Sequence, residues 1–179
     1  VKKKKKEAMR KELQLQQVKA AVRNNIIRDE VQQVFRTYSG GLQVLFNHYM
    51  KASAPALGSE VMETTGLNKF LTQFSVSPNL LTIEEAFRIF KSITKNKRET
   101  PVGLNIHEFG QALLSFSYLG QSQLEGKTQK ELEEPDELFK AFLEYLKLPK
   151  EAKKTLNLLK QITYNNSREK QTLWETPKQ

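Results

Sequence analysis

An all-α fold is what this 179-residue sequence predicts. Three observations carry that expectation. Apolar side chains recur three and four residues apart through most of residues 29–146, helix-start signals precede several of those stripes, and alternating polar and apolar runs are nearly absent. The length suits one ordinary domain with extensions. With 38% hydrophobic and 27% charged residues, a packed core under a wet surface is expected.

The elements follow in order. Residues 7–25, "EAMRKELQLQQVKAAVRNN", are rich in helix formers and free of Gly and Pro. Their apolar stripe (Leu13, Leu15, Val18, Val22) is thin, so the segment is either a helix lying along a partner or a solvated tail. From Asp29, the residues Val31, Val34, Phe35 and Tyr38, then Leu42, Leu45, Phe46 and Tyr49, hold helical spacing. "SGG" at Ser39–Gly41 interrupts them and predicts two helices or one kinked helix. "ASAPALGSE" over 52–60 is loop by composition. Leu67, Phe70, Leu71 and Phe74 then share one face.

Thr82, three residues before Glu85, forms a capping-box pattern that opens a helix with Ile83, Phe87, Phe90 and Ile93 inward. A basic loop leads to a further stripe of Phe109, Ala112, Leu113 and Phe116. Pro135 and the acids after it favour a helix N-terminus. That helix turns Leu138, Phe142, Tyr145 and Leu146 inward and stops at Pro149. Residues 150–162 suit one more short helix, and the rest reads as an extended tail with Trp174 as its candidate partner anchor.

Charge divides the chain into three parts. Residues 1–28 carry ten Lys/Arg against two Glu, or +8; residues 29–146 carry eleven against fifteen acids, or −4; residues 147–179 carry eight against three, or +5. A basic arm (1–28), a helical domain (29–147) and a short helix with a basic tail (148–179) are therefore expected. The arms, through Lys2, Lys3, Lys4, Lys5, Lys6, Arg10 and Lys11, are the parts suited to a polyanion.

Chemistry is harder to find. The sequence has no Cys, hence no disulfide, thiolate nucleophile or Cys-based zinc site. Nothing approaches the run of about 18 apolar residues that spans a bilayer, and the basic start has no apolar segment behind it to make a secretory signal. An intracellular setting is expected, and Val at position 1 suggests a longer or processed chain. His48 and His107, the only histidines, lack triad neighbours and metal-motif spacing. "SGGL" lacks the Lys-Ser/Thr of a phosphate loop, and Glu84–Glu85 and Glu133–Glu134 read as helix-start acids. No enzyme is expected.

Two helix–loop–helix units share a plan over Leu42–Phe74 and Thr82–Phe116, and the endings "TGLNKFLTQF" and "GLNIHEFGQAL" look alike. In a twelve-position calcium loop closed by Phe109, position 1 is Lys97, position 3 Glu99, position 8 Leu104 and position 12 Glu108. The same frame closed by Phe70 gives Gly58, Glu60, Met62, Thr65 and Lys69 at positions 1, 3, 5, 8 and 12. Over roughly residues 30–147 the chain thus resembles a degenerate member of the EF-hand superfamily. A calcium ion takes about six to eight oxygen ligands, largely from carboxylates. Too few are offered here, so no metal and no cofactor are expected and a calcium sensor is disfavoured. A lysine ammonium can take the cation's place beside Glu108, but the simpler expectation is that the basic loop residues point into solvent.

The resemblance implies a structural or adaptor role, with a metal-free groove that grips a partner helix. Similar modules occur in proteins of ciliary axonemes and microtubules, which makes tubulin or axonemal proteins the implied partners. Nucleic acid is the alternative for the basic arm, weakened by the absence of interleaved aromatics. A localisation signal or a merely solubilising charge run are further uses of the same residues.

Overall fold

The computed structural model describes the backbone of residues 1–52 and 60–174 and the side chains of residues 1–52 and 60–168. In chain order the helices are α1 (Lys2–Asn25), α2 (Asp29–Thr37), α3 (Ser39–Ala52), α4 (Thr64–Gln73), α5 (Ile83–Thr94), α6 (Ile106–Leu119), α7 (Gln121–Thr128), α8 (Pro135–Tyr145) and α9 (Ala152–Trp174). Among the described residues the extended pairing is confined to one antiparallel bridge, Met62 with Leu104. The chain is all-α.

Helix α6 is the hub. It packs against α1, α3, α5, α7 and α8. Phe109, Ala112, Leu113 and Phe116 are buried as their spacing predicts, and Leu114, Ser115 and Ser117 on its other sides are buried too. Burying each large apolar side chain is worth about 1.5–3 kcal/mol. An aromatic cluster ties the two helix–loop–helix units: Phe109 lies 5.6 Å from Phe70 and 5.8 Å from Phe46, and Tyr49 lies 5.7 Å from Phe70.

The "SGG" break gives two helices, with Tyr38 between α2 and α3. Close backbone approach explains the glycines. The Gly41 amide donates to the Lys150 carbonyl at 3.3 Å, and a Cβ on Gly41 would sit 2.0 Å from the Pro149 carbonyl oxygen. Only Gly lets the link between α8 and α9 cross the start of α3 there.

Helices α4 and α8 end alike. Ser75 and Lys147 adopt left-handed backbone, with φ of 55° and 56°. The next amides close back on the helix, Val76 to the Leu71 carbonyl at 2.9 Å and Leu148 to the Leu143 carbonyl at 3.1 Å. Val76 and Leu148 are buried, which completes a Schellman-type stop.

Four expectations need correction. The helix expected to run on to Pro149 ends at Tyr145, because left-handed Lys147 turns the chain before the proline is reached. The segment read as an extended tail beyond 162 continues as helix to Trp174, since neither Gly nor Pro interrupts it before Pro177. The inward face of α5 is turned from the expected stripe: Ala86, Ile89 and Phe90 are buried, whereas Ile83, Phe87 and Ile93 are half-buried. Helix α7 was not expected at all; its Leu124 is buried, and Gln121 donates to the Leu132 carbonyl at 3.1 Å.

The basic N-terminal segment is helical and divides at about residue 17. Val18 and Val22 are buried, with α1 packed on α6, and Asn25 donates to the Tyr118 hydroxyl at 3.1 Å. Residues before Val18 are exposed, apart from half-buried Lys11 and Leu15.

Candidate functional site: a lysine-closed loop and two basic helices

The loop between α5 and α6 is held by its own side chains. Asn105 caps α6: its Oδ1 accepts from the Glu108 amide at 2.9 Å, and Glu108 Oε1 accepts from the Asn105 amide at 3.0 Å. This reciprocal capping box fixes the Glu108 carboxylate at the loop's end. Into that place comes Lys97. Its Nζ donates to the Gly103 carbonyl at 2.8 Å and to Glu108 Oε1 in a short ion pair. The side chains are only 27% and 17% exposed, so water screens the pair less than it would a surface bridge. The ammonium is folded into the loop. The expectation that the loop's basic residues simply point into solvent is wrong for Lys97, because one backbone carbonyl and one carboxylate converge on it.

Gly103 has a second duty. A Cβ there would fall 2.6 Å from the Met62 carbonyl oxygen and 3.0 Å from the Val61 Cβ. Its absence lets the two loops meet. Met62 donates to the Leu104 carbonyl at 2.8 Å, and Leu104 donates back to the Met62 carbonyl at 2.9 Å. Both side chains are fully buried. The repeat read from sequence set Thr65 opposite Leu104; the bridge sets Met62 there instead, three residues earlier. The shared tripeptide Gly-Leu-Asn was misleading, since Gly66 lies inside α4 whereas Gly103 lies in the loop. The recoverable signal was an apolar residue two positions before a helix start, which both Met62 and Leu104 satisfy.

Of the other residues singled out in the loops, Glu60, Lys69 and Glu99 are exposed and are not brought to the Lys97–Glu108 pair. Gly58 and the Trp174 side chain lie outside the described residues. Among the described residues no three His, Asp or Glu side chains gather as a metal-binding cluster, and no helix is long and apolar enough to cross a membrane.

His107 is exposed. His48 is half-buried, edge-on to the Tyr49 ring at 4.7 Å. Burial, then the nearby Lys51 and Lys69 ammonium groups, hold His48 below the usual imidazole range. Tyr49 lies in the core with its hydroxyl donating to Gln73 Oε1 at 2.6 Å, and burial pushes that phenol well up.

The first half of α1 displays Lys2, Lys3, Lys4, Lys5, Lys6 and Arg10 in full exposure, and half-buried Lys11 pairs with exposed Glu7 at 3.5 Å. Five consecutive lysines cover every side of a helix, since each residue turns by about 100°. Helix α9 adds Lys153, Lys154 and Lys160 along the outside of α3. Compared with models of known families, with curated proteins and with solved structures, the chain has no significant match to any of them.

Proposed function

We propose that this chain is a non-enzymatic structural adaptor, built on an EF-hand-like pair that works without metal. In this reading its basic helices lie on an acidic cytoskeletal surface, that of a microtubule or a ciliary axoneme. One observation carries the metal-free part. Counted from Lys97 as position 1, Gly103 is position 7 and Glu108 position 12, the backbone carbonyl and terminal carboxylate that hold calcium in such loops. The Lys97 ammonium bonds to those same two groups. A tethered cation is present at any calcium concentration, and its charge repels a divalent ion. The bridged loops and the aromatic cluster support the pairing, which needs no ion to bury its helix faces.

The adaptor part draws on the exposed lysines of α1. Residues 1–25 contain no aromatic side chain, so α1 offers charge without the stacking that single-stranded nucleic acid uses. Two experiments test the reading. Calorimetric titration with calcium is expected to give no binding heat; a heat that Glu108→Ala abolishes overturns the metal-free assignment. Co-sedimentation with microtubules is expected, and is lost when the acidic tubulin tails are removed or when Lys2–Lys6 are replaced by Gln. Equal or tighter binding to duplex DNA at physiological salt reverses the choice of partner.

A further inference from the structure

Helices α3 and α9 lie side by side, and a groove of about 800 Å³ runs along their outer seam. Its two edges repeat at helical spacing. Val44, His48 and Lys51 line the α3 edge, and Leu156, Lys160 and Tyr164 line the α9 edge, with buried Leu159 beneath. Leu156 is 49% exposed and Tyr164 63%, large apolar surfaces that the other described residues leave uncovered. The edge from Leu156 to Tyr164 spans about 12 Å, or two helical turns.

Charge selects the occupant. Among the described residues the groove lining contains no Asp or Glu. Among the described residues neither Lys51 nor Lys160 has a carboxylate partner, nor does Lys69, whose charge reaches His48 from α4. A phosphate backbone would satisfy the lysines but leave Val44, Leu156 and Tyr164 bare. An acidic amphipathic helix satisfies both.

We propose that this α3–α9 groove is the docking site for a partner's amphipathic acidic helix, with Leu- or Phe-type side chains between the apolar edges formed by Val44, Leu156 and Tyr164 and carboxylates on Lys51 and Lys160. The site is separate from α1 and stands whether or not the N-terminal lysines meet a polyanion.

The test uses the whole chain and a fluorescently labelled 18-residue helical peptide with one Leu face flanked by Glu. Control peptides carry Gln or Lys in place of Glu. Anisotropy titration is expected to show binding on the order of 10–100 μM. The Gln peptide should bind about ten-fold more weakly, and the Lys peptide not at all. Lys51→Glu with Lys160→Glu should weaken the Glu peptide about ten-fold or more, and Leu156→Ser several-fold. All changed residues are at or near the surface, and a thermal melt within a few degrees of the parent confirms that each variant is folded. Replacing Lys2–Lys6 by Gln should leave peptide affinity unchanged. The proposal fails if the peptide does not bind, if binding ignores the groove substitutions or follows the Lys2–Lys6 change, or if a duplex oligonucleotide competes through Lys51 and Lys160.

Discussion

The two helix–loop–helix units solve one problem by opposite means. The α5–α6 unit is closed by polar side chains: capping boxes begin both helices, and Lys97 clasps Gly103 and Glu108 across the loop. In the α3–α4 unit, Glu63 at the start of α4 makes no side-chain cap. Its loop end is fixed by buried Met62 and by two hydrogen bonds to the other loop. Its helices are fixed by Tyr49, Phe70 and Phe74 and by the backbone crossing at Gly41. Among the described residues, the α5–α6 loop thus holds itself by polar contacts and also anchors the start of α4. Directed polar contacts and shape packing should respond differently to substitution.

The largest effect is expected in the shape-packed unit. Gly41→Ala puts a methyl 2.0 Å from the Pro149 carbonyl oxygen, and backbone cannot rotate aside as a flexible side chain can. A loss of about 3 kcal/mol, or roughly 6–12 °C in Tm, should follow. Melting by circular dichroism checks it, and an unchanged Tm would show that the α8–α9 link is free to move.

Next comes the polar clasp, where the two partners should differ. Glu108→Ala removes the cap and strands a partly buried ammonium, a loss of about 2–3 kcal/mol. Lys97→Met keeps the volume and leaves Glu108 bonded to the Asn105 amide, so about 1 kcal/mol or less is expected. Urea denaturation of both single variants and the double variant reads the coupling. Equal losses from the two single changes would mean that the pair is held no better than a surface bridge.

A gain is expected from Ser75→Gly at the end of α4. The position has φ of 55°, which strains any side chain, and its amide and carbonyl bonds are backbone and survive the change. Stabilisation of about 0.5–1 kcal/mol should result. A lower Tm would show that the serine hydroxyl matters in a way its surroundings do not suggest.

These contrasts also show what the sequence made legible. The buried faces of α3 and α6, most of those of α2 and α8 (Phe35 and Tyr145 are only half-buried), and the Thr82–Glu85 cap were readable because each rests on neighbours within one or two turns. Pro135 opens α8 for the same local reason, whereas the helix stops at Tyr145, short of Pro149, at the left-handed turn of Lys147. What was hidden depends on contacts distant in the chain. Lys97 was a charged loop residue until the turn brought it to Glu108, eleven positions away. Seven buried positions on α6 are set by five surrounding helices, which no single stripe records. Helix α7 has one buried apolar residue and therefore no period to read. Of the α9 side of the groove, only Thr163 and Tyr164 lie where an extended tail is expected; Leu156, Leu159 and Lys160 lie in the short helix read over 150–162.

The smallest effect, and the one that joins the α3–α4 unit to its groove, concerns His48. Burial and then Lys51 and Lys69 depress its folded pKa, whereas the unfolded imidazole titrates near about 6.5. Just below that pH the unfolded chain binds a proton that the folded chain refuses, so stability falls as pH falls through this window and is flat above it. Urea unfolding at pH values on either side of 6.5 should show this slope in the parent and a weaker one in His48→Gln, which cancels the remaining titrations. Lys69→Gln should raise the His48 pKa by removing one of the two repelling charges, read by NMR titration of the imidazole. Carboxylates of a bound acidic helix should raise it further, because they oppose the same field. If the imidazole titrates identically with and without saturating peptide, the carboxylates do not lie along this rim and the groove takes its partner elsewhere.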